Sequence, residues 1–155
     1  MVSHIDVVIR IAVAFLLGAS LGFERQWRQR TAGLQTNTLV SVGAALFVIV
    51  EQLNTDDTGN QHRIAAQVVS GIGFLAAGVI LRDGPSVSGL NTAATIWCAA
   101  AIGVMSGSGN LFYATVGATV ILTAHLTLRP LGGLLDRYPR REHLPKRRNA
   151  PEIDE

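Results

Sequence analysis

Four charged residues follow one another closely enough to bind a charged group or to order a loop. Glu24 and Arg28 are four residues apart, the spacing of neighbours on one helix face, and Arg25 and Arg30 lie close to them in sequence. The functional interpretations are a docking patch for a partner and a charge cluster that fixes the loop between two helices. The simpler interpretation is a solvated cluster of long side chains at a helix end, and the residues alone favour it.

Five uncharged polar residues lie in or beside apolar segments: Asn37, Gln67, Asn91, Thr92 and Thr95. Side chains of these types hydrogen-bond to neighbouring helices, and we expect that role for them by default. His125, one turn from the end of the last apolar segment, is expected to pack or to extend to the surface. These residues form no metal-ligand set and place no nucleophile beside a base. The sequence therefore predicts no enzyme activity, no metal site and no cofactor.

Five apolar segments must position these side chains, at residues 5–23, 36–50, 64–81, 93–105 and 111–128. They are rich in Ala, Gly and Leu and show no alternation of apolar and polar residues, which favours helices over strands. A helix of about 18 residues spans about 27 Å, close to the hydrocarbon core of about 30 Å. The first, third and fifth segments reach that length, whereas the second and fourth are shorter and need neighbours to bury their polar ends. The predicted fold class is an all-α bundle of about five transmembrane helices.

The distribution of basic residues predicts the orientation of this bundle. Apart from Arg10 and Arg63, the 13 Lys and Arg residues lie in the loop 24–35, the loop 82–90 and the tail from residue 129 onward. Because cytoplasmic loops are enriched in Lys and Arg, we expect the N-terminus outside and the C-terminus in the cytoplasm. One transmembrane domain, residues 1–130, is expected, followed by a basic tail, 131–155, that forms a short interfacial helix and then a flexible segment.

Acidic residues are missing from the interiors of the second to fifth segments. Carriers coupled to ions or protons usually mark their route with acids at the membrane midplane, and magnesium prefers carboxylate ligands. Backbone carbonyls at a broken helix could still coordinate a cation. The sequence therefore leaves transport open without supporting it.

Small residues recur at helical spacing and predict close packing between helices. Gly18 and Gly22 form a GxxxG pair, and the other glycines expected at helix contacts are Gly71, Gly73, Gly78 and Gly103. Gly71 and Gly73 also match part of a dinucleotide-binding pattern, but that pattern needs a preceding strand, which this apolar context does not provide. A GxxxG face also allows a homodimer.

Four stretches closely resemble the MgtC/SapB family, in order and with matching spacing: residues 24–30, 32–34, 63–75 and 89–98. The likeness extends from about residue 8 to about residue 130 and is closer to the MgtC branch than to the wider family. Gln35 and Ser88 stand where the family usually has Arg, and Ala76 stands where it has Gly. Family members of the MgtC type usually continue into a soluble, ACT-like cytoplasmic domain. This chain lacks it, either as a short member or as part of a longer protein.

The resemblance implies a bacterial inner-membrane virulence factor that supports growth at low magnesium and survival inside macrophages. Such a protein is not expected to move magnesium. It is expected to bind other membrane proteins, to restrain the F-type ATP synthase through its membrane subunit, and to alter phosphate uptake and membrane potential. Asn91 corresponds to the Asn of the family's Gly-Leu-Asn-Thr motif and becomes a candidate contact to a partner. The further candidates are Glu24, Arg25, Arg28, Arg30, Asn37, Gln67 and Thr92.

A function of a different class stays open beside this one. A small oligomeric carrier or channel for magnesium or phosphate would line its path with Gln67, Asn91, Thr92 and the carbonyls near Gly71 and Gly73.

Overall fold

The part of the chain that the structure describes forms five helices, which confirms the prediction of an all-α bundle. The computed structural model describes residues 3–54 and 63–135. In chain order the helices are α1 (His4–Trp27), α2 (Leu34–Asn54), α3 (Arg63–Ala77), α4 (Leu90–Gly107) and α5 (Leu111–Leu135). Within the described ranges, α1, α2, α4 and α5 are long and apolar enough to cross a membrane. The chain is therefore a multi-pass membrane protein.

The third apolar segment differs from the prediction. It was expected to span the membrane as one helix over residues 64–81, but α3 ends at Ala77 after 15 residues, a length of about 22 Å. The chain then forms a β-hairpin, in which β1 (Leu81–Asp83) pairs antiparallel with β2 (Ser86–Ser88). Apolar character continues past Ala77 into β1, so hydropathy alone does not locate the helix end.

The lengths of α2 and α4 also differ from the prediction that these two helices would be short. α2 has 21 residues and α4 has 18, because both helices continue into the polar residues that border their apolar segments. Several polar residues at and near those ends are buried inside the bundle. Asn37 and Ser41 near the start of α2 are fully buried, and Thr95 and Ser106 in α4 are at most 1% exposed.

Helix α4 lies at the centre of the bundle and contacts each of the other four helices. The residues at its contacts are small, and the most deeply buried apolar side chains of the chain include Ala14, Ala45, Ala99 and Ala114. Small side chains let helix backbones approach closely, which is the main source of helix association in lipid. By contrast, α5 buries few residues and faces outward.

Three of the glycines expected at helix contacts lie against neighbouring backbone. A Cβ atom added at Gly18 would lie 2.7 Å from the Cβ of Ser41, and one added at Gly22 would lie 2.6 Å from the Cα of Leu34. A Cβ at Gly103 would collide with the backbone carbonyl of Ser41. These positions therefore bring α1 and α4 close to α2 and to the loop before it.

The glycines of α3 do not follow that expectation. An added Cβ at Gly71 or Gly73 has no described atom within 4 Å. One at Gly78, just after the end of α3, would meet the carbonyls of Leu75 at 3.4 Å and Phe74 at 3.9 Å, both in the preceding turn. These three glycines therefore do not bring helices together within the described chain. The reason is that α3 packs on the bundle through another face, which carries the buried residues Val68, Ile72 and Ala76.

An arginine fastens three helices at the end of the bundle where α1 begins. Arg10 Nη1 donates hydrogen bonds to Gln52 Oε1 at 2.7 Å and to the carbonyl of Gly107 at 2.9 Å. Arg10 also forms an ion pair with Asp6, which lies one helical turn away. The side chain thereby joins the end of α4 to α1 and α2.

Helix α5 continues past the residue at which the membrane domain was expected to end. The backbone of α5 continues from Leu111 to Leu135, past the expected domain limit at residue 130. The first residues of the expected interfacial helix are thus part of α5. The rest of the predicted tail lies outside the described residues.

Candidate functional site

Arg25 is the centre of a polar cluster at the end of the bundle where α1 ends and α4 begins. Only 3% of its surface is exposed, although the sequence favoured a solvated position. Its Nη1 donates to Thr95 Oγ1 at 2.9 Å, and its Nη2 donates to Thr92 Oγ1 and to the carbonyl of Thr31, both at 2.8 Å. Its Nε donates to the carbonyl of Ala32 at 3.1 Å. Arg25 therefore joins α1, α4 and the loop 28–33, and all four acceptors are uncharged.

Helix α4 supplies the hydroxyl acceptors from one face. Thr92 and Thr95 are three residues apart, so their side chains lie one above the other and both reach Arg25. Thr31 Oγ1 lies 3.1 Å from Thr92 Oγ1, which brings the loop against the start of α4. The sequence named Thr92 and Thr95 as links between helices. It did not connect them to Arg25, although their spacing was a visible sign of a shared face.

The loop 28–33 adopts a backbone conformation that needs support. Gln29 and Ala32 have φ angles of 53° and 57°, in the left-handed region, which costs about 1–2 kcal/mol for a residue with a Cβ atom. The carbonyl of Ala32 accepts hydrogen bonds from Arg25 and, at 2.6 Å, from Asn37 Nδ2. Asn37 also donates to the carbonyl of Gly33 at 2.9 Å. It therefore stabilises the loop before α2, whereas the sequence expected a link to another helix.

Glu24 and His125 extend the cluster to α5. Glu24 Oε1 lies 2.7 Å from Arg28 Nε, as the four-residue spacing predicts, and Glu24 Oε2 lies 3.5 Å from His125 Nδ1. His125 Nε2 lies 3.4 Å from Thr95 Oγ1. Sequence reasoning missed this position of His125, because no local spacing connects residue 24 with residue 125.

Two cavities open beside this cluster, and Arg25, Arg30 and Asn91 line both. The first, here the His125 cavity, measures about 310 Å³ and is bounded by Glu24, Arg28, Ala124, His125 and Leu128. The second, here the hairpin cavity, measures about 530 Å³ and is bounded by the loop residues Gln29 and Thr31, by Val79, Leu81, Ser88 and Gly89 around the hairpin, and by Thr92. Arg30 and Asn91 are both exposed to these spaces.

Gln67 lies apart from the Arg25 cluster, in a third and mainly apolar space. This groove of about 560 Å³ runs between α2 and α3, with Phe47 and Leu75 among its walls. Gly43 on one side and Gly71 on the other have no atom near an added Cβ. The sequence candidates therefore divide into the Arg25 cluster with its two cavities and the α2–α3 groove, where Gln67 is alone.

Within residues 3–54 and 63–135, no group of three or more His, Cys, Asp or Glu side chains is placed to hold a metal ion. Cys98 is a free thiol, half-buried in α4. The expectations of no metal and no cofactor stay predictions.

These features define a class of protein: a helical, multi-pass membrane protein with a polar cluster around a buried arginine at one end of its bundle. The chain belongs to the MgtC family, which matches residues 11–134. It is 54% identical over 126 residues to Protein MgtC of Brucella abortus and 50% identical over 132 residues to Protein MgtC of Salmonella typhimurium. It is also 56% identical over 132 residues to an uncharacterised protein of Synechocystis.

The three alignments cover most of this chain but only part of the relatives. They include 81%, 85% and 85% of the chain and 52%, 56% and 56% of the Brucella, Salmonella and Synechocystis proteins, respectively. The chain thus spans about half the length of these relatives. No solved structure is significantly similar to it.

Proposed function

We propose that this chain is a non-enzymatic regulator that acts by binding another protein within the membrane. The observation that carries the proposal is the open face of α3. Phe74 is 83% exposed, and Gly73 beside it has free space where a side chain would be. Glycine on an open membrane-facing helix face lets the backbone of a second helix approach closely.

The distribution of charge also supports binding over transport. Among the described residues of α2 to α5, the acid is Glu51, near the end of α2, and its Oε1 accepts a hydrogen bond from the backbone N–H of Ile64 at 2.9 Å. A route for protons or cations usually needs acids at the midplane. Arg25, the buried charge of α1, already has four acceptors.

The biological setting of the proposal comes from the family. We propose an inner-membrane virulence protein that supports growth at low magnesium and survival inside macrophages by restraining the F-type ATP synthase through its membrane subunit. The similarity to proteins named MgtC in Brucella and Salmonella supports this setting.

The test uses proteoliposomes that contain purified F-type ATP synthase with or without the chain, and it measures ATP-driven proton pumping. We expect the chain to lower the pumping rate and Gly73→Leu to weaken that effect, because leucine fills the open face without a clash inside the chain. Gly117→Leu on α5 is the matched control, since an added Cβ there also has no atom within 4 Å. Unchanged pumping with the native chain contradicts the synthase as partner, and equal effects of both variants contradict α3 as the contact face.

A small oligomeric carrier of magnesium or phosphate is the second candidate. Asn91 favours it, because its side chain is exposed to two cavities and has no hydrogen-bond partner among the described residues. Flux of either ion into liposomes that contain only this chain, abolished by Asn91→Leu, would replace the regulator with the carrier.

A further inference from the structure

We infer that the hairpin cavity binds a phosphate group. This site goes beyond the proposed regulator, because it needs only the chain itself. Three features support such a site: an excess of positive charge, unpaired hydrogen-bond donors that meet in one cavity, and the match between these donors and the oxygens of a phosphate group.

The charges around the cavity do not balance. Arg25 and Arg30 line the hairpin cavity, and its described lining includes no acidic side chain. Glu24 lies in the neighbouring His125 cavity, where it contacts Arg28 and His125. Glu24 attracts the buried charge of Arg25, and Arg30 repels it. The hairpin adds Arg82 and Asp83, but neither lines the cavity. Arg25 is buried and its four acceptors are uncharged, so a bound anion would stabilise its charge.

Two side-chain donors at the cavity wall are unused. Arg30 and Asn91 line the space, and their side chains make no hydrogen bond within the described residues. A guanidinium group presents parallel N–H donors that match two oxygens of a phosphate, and an amide adds a further donor. The two residues come from different elements, so the fold brings these donors together.

The start of α4 adds backbone donors to the same space. The first helical bond there runs from the N–H of Ala93 to the carbonyl of Gly89, which leaves the N–H groups of the preceding turn without a partner in the helix. Gly89 has no side chain to cap them, and the first turn has no acid. A side chain at position 89 would collide with the carbonyl of Val79 and would need a φ of +86°. Helix N-termini of this kind favour anions.

Phosphate suits the set better than a monatomic anion. Its several oxygens can accept from the Arg30 fork, the Asn91 amide and the helix N-terminus at once. Two sources could provide it. Trp27, 79% exposed at the end of α1, is of the residue type that is enriched at the level of lipid headgroups. Val79 and Leu81 give the cavity an apolar wall, so a lipid phosphate fits. Inorganic phosphate from the adjoining aqueous phase fits the same donors.

The test measures binding to the purified full chain in detergent with two probes. Inorganic phosphate is titrated by calorimetry, and retention of phosphatidic acid against diacylglycerol with the same acyl chains is measured by native mass spectrometry. We expect saturable binding of at least one phosphate probe. Arg30→Gln should weaken it about tenfold or more, and Asn91→Leu should weaken it less, because Arg30 supplies a positive charge as well as paired donors, whereas Asn91 supplies a neutral amide.

Arg82→Gln is the matched control. It removes one positive charge from the same end of the bundle, but Arg82 donates to its own hairpin, at Gly84, and does not line the cavity. Its binding should equal that of the native chain. Binding of inorganic phosphate alone identifies the free ion as the source, and retention of phosphatidic acid alone identifies a lipid headgroup; binding of both supports a site for either.

Two results would overturn the inference. One is the absence of saturable binding of both probes. The other is an equal loss of binding in Arg30→Gln and Arg82→Gln, which would indicate attraction by surface charge in general. Asn91→Leu keeps the test decisive if Arg30→Gln does not fold, because a site in the cavity must still lose affinity when its amide is removed.

Discussion

At the scale of the residue, Arg25 determines how the polar end of the bundle is held together. A single guanidinium group satisfies two carbonyls of a loop in an unfavourable conformation and two hydroxyls of α4. Lysine could not replace it, because an ammonium group has three donors and no planar fork. The same side chain therefore supports both the loop and the cavities that lie beside it.

Arg25→Met should destabilise the chain by about 2–4 kcal/mol, because it leaves buried carbonyls and hydroxyls without their donor. A lower midpoint of thermal unfolding in detergent measures the effect. Arg28→Gln is the control. Its ion pair with Glu24 is partly exposed, and such pairs contribute at most about 1 kcal/mol. Equal midpoints for Arg25→Met and the native chain would show that these hydrogen bonds do not stabilise the fold.

The residues of the Arg25 cluster could be foreseen only in part. The spacing of Glu24 and Arg28 predicts their ion pair, and that of Thr92 and Thr95 indicates a shared face. Burial of Arg25 could not be predicted, because its acceptors include carbonyls, which every residue has. The contact of His125 depends on the packing of α5 on α1, which no sequence spacing encodes.

At the scale of the element, the helices divide into a tightly packed core and an outer pair. α1, α2 and α4 approach one another at glycine and alanine, whereas α3 and α5 each carry a glycine with open space beside it, Gly71 and Gly117. The positions of the long helices followed from hydropathy. The end of α3 did not follow from hydropathy, because apolar residues such as Val79 and Leu81 fit a helix interior and a strand equally well. The pair Asp83 and Gly84 was a turn signal that hydropathy ignores.

Gly103→Ala should destabilise the bundle by about 1–3 kcal/mol, because its Cβ would force α4 away from the carbonyl of Ser41. Thermal unfolding in detergent again provides the measurement. Gly117→Ala, the matched control on α5, should leave the midpoint unchanged or slightly higher, because alanine favours a helix and finds free space there. A bundle that tolerates both substitutions equally would contradict the close approach of α4 to α2.

At the scale of the whole molecule, the bundle has two different ends. One end is fastened by Arg10 with Gln52 and the carbonyl of Gly107. The other has the arginine cluster, the hairpin and the two cavities. With 15 residues, α3 is by itself too short to cross the hydrocarbon core. The three residues of β1 add about 10 Å of extended chain toward the arginine end. Every function considered above therefore depends on which end faces the cytoplasm.

The excess of Lys and Arg predicts that the arginine end faces the cytoplasm. Single cysteines test this prediction in a Cys98→Ala background. Asp83→Cys lies in the hairpin turn at the arginine end, and Asn110→Cys lies between α4 and α5 at the other end; both positions are exposed. Because α4 separates them by 18 helical residues, about 27 Å, they should lie on opposite sides of the membrane. In intact spheroplasts, a membrane-impermeant maleimide should label Asn110→Cys at once and Asp83→Cys only after permeabilisation. The reverse pattern would place the cavities outside the cell and expose the phosphate site to extracellular ligands.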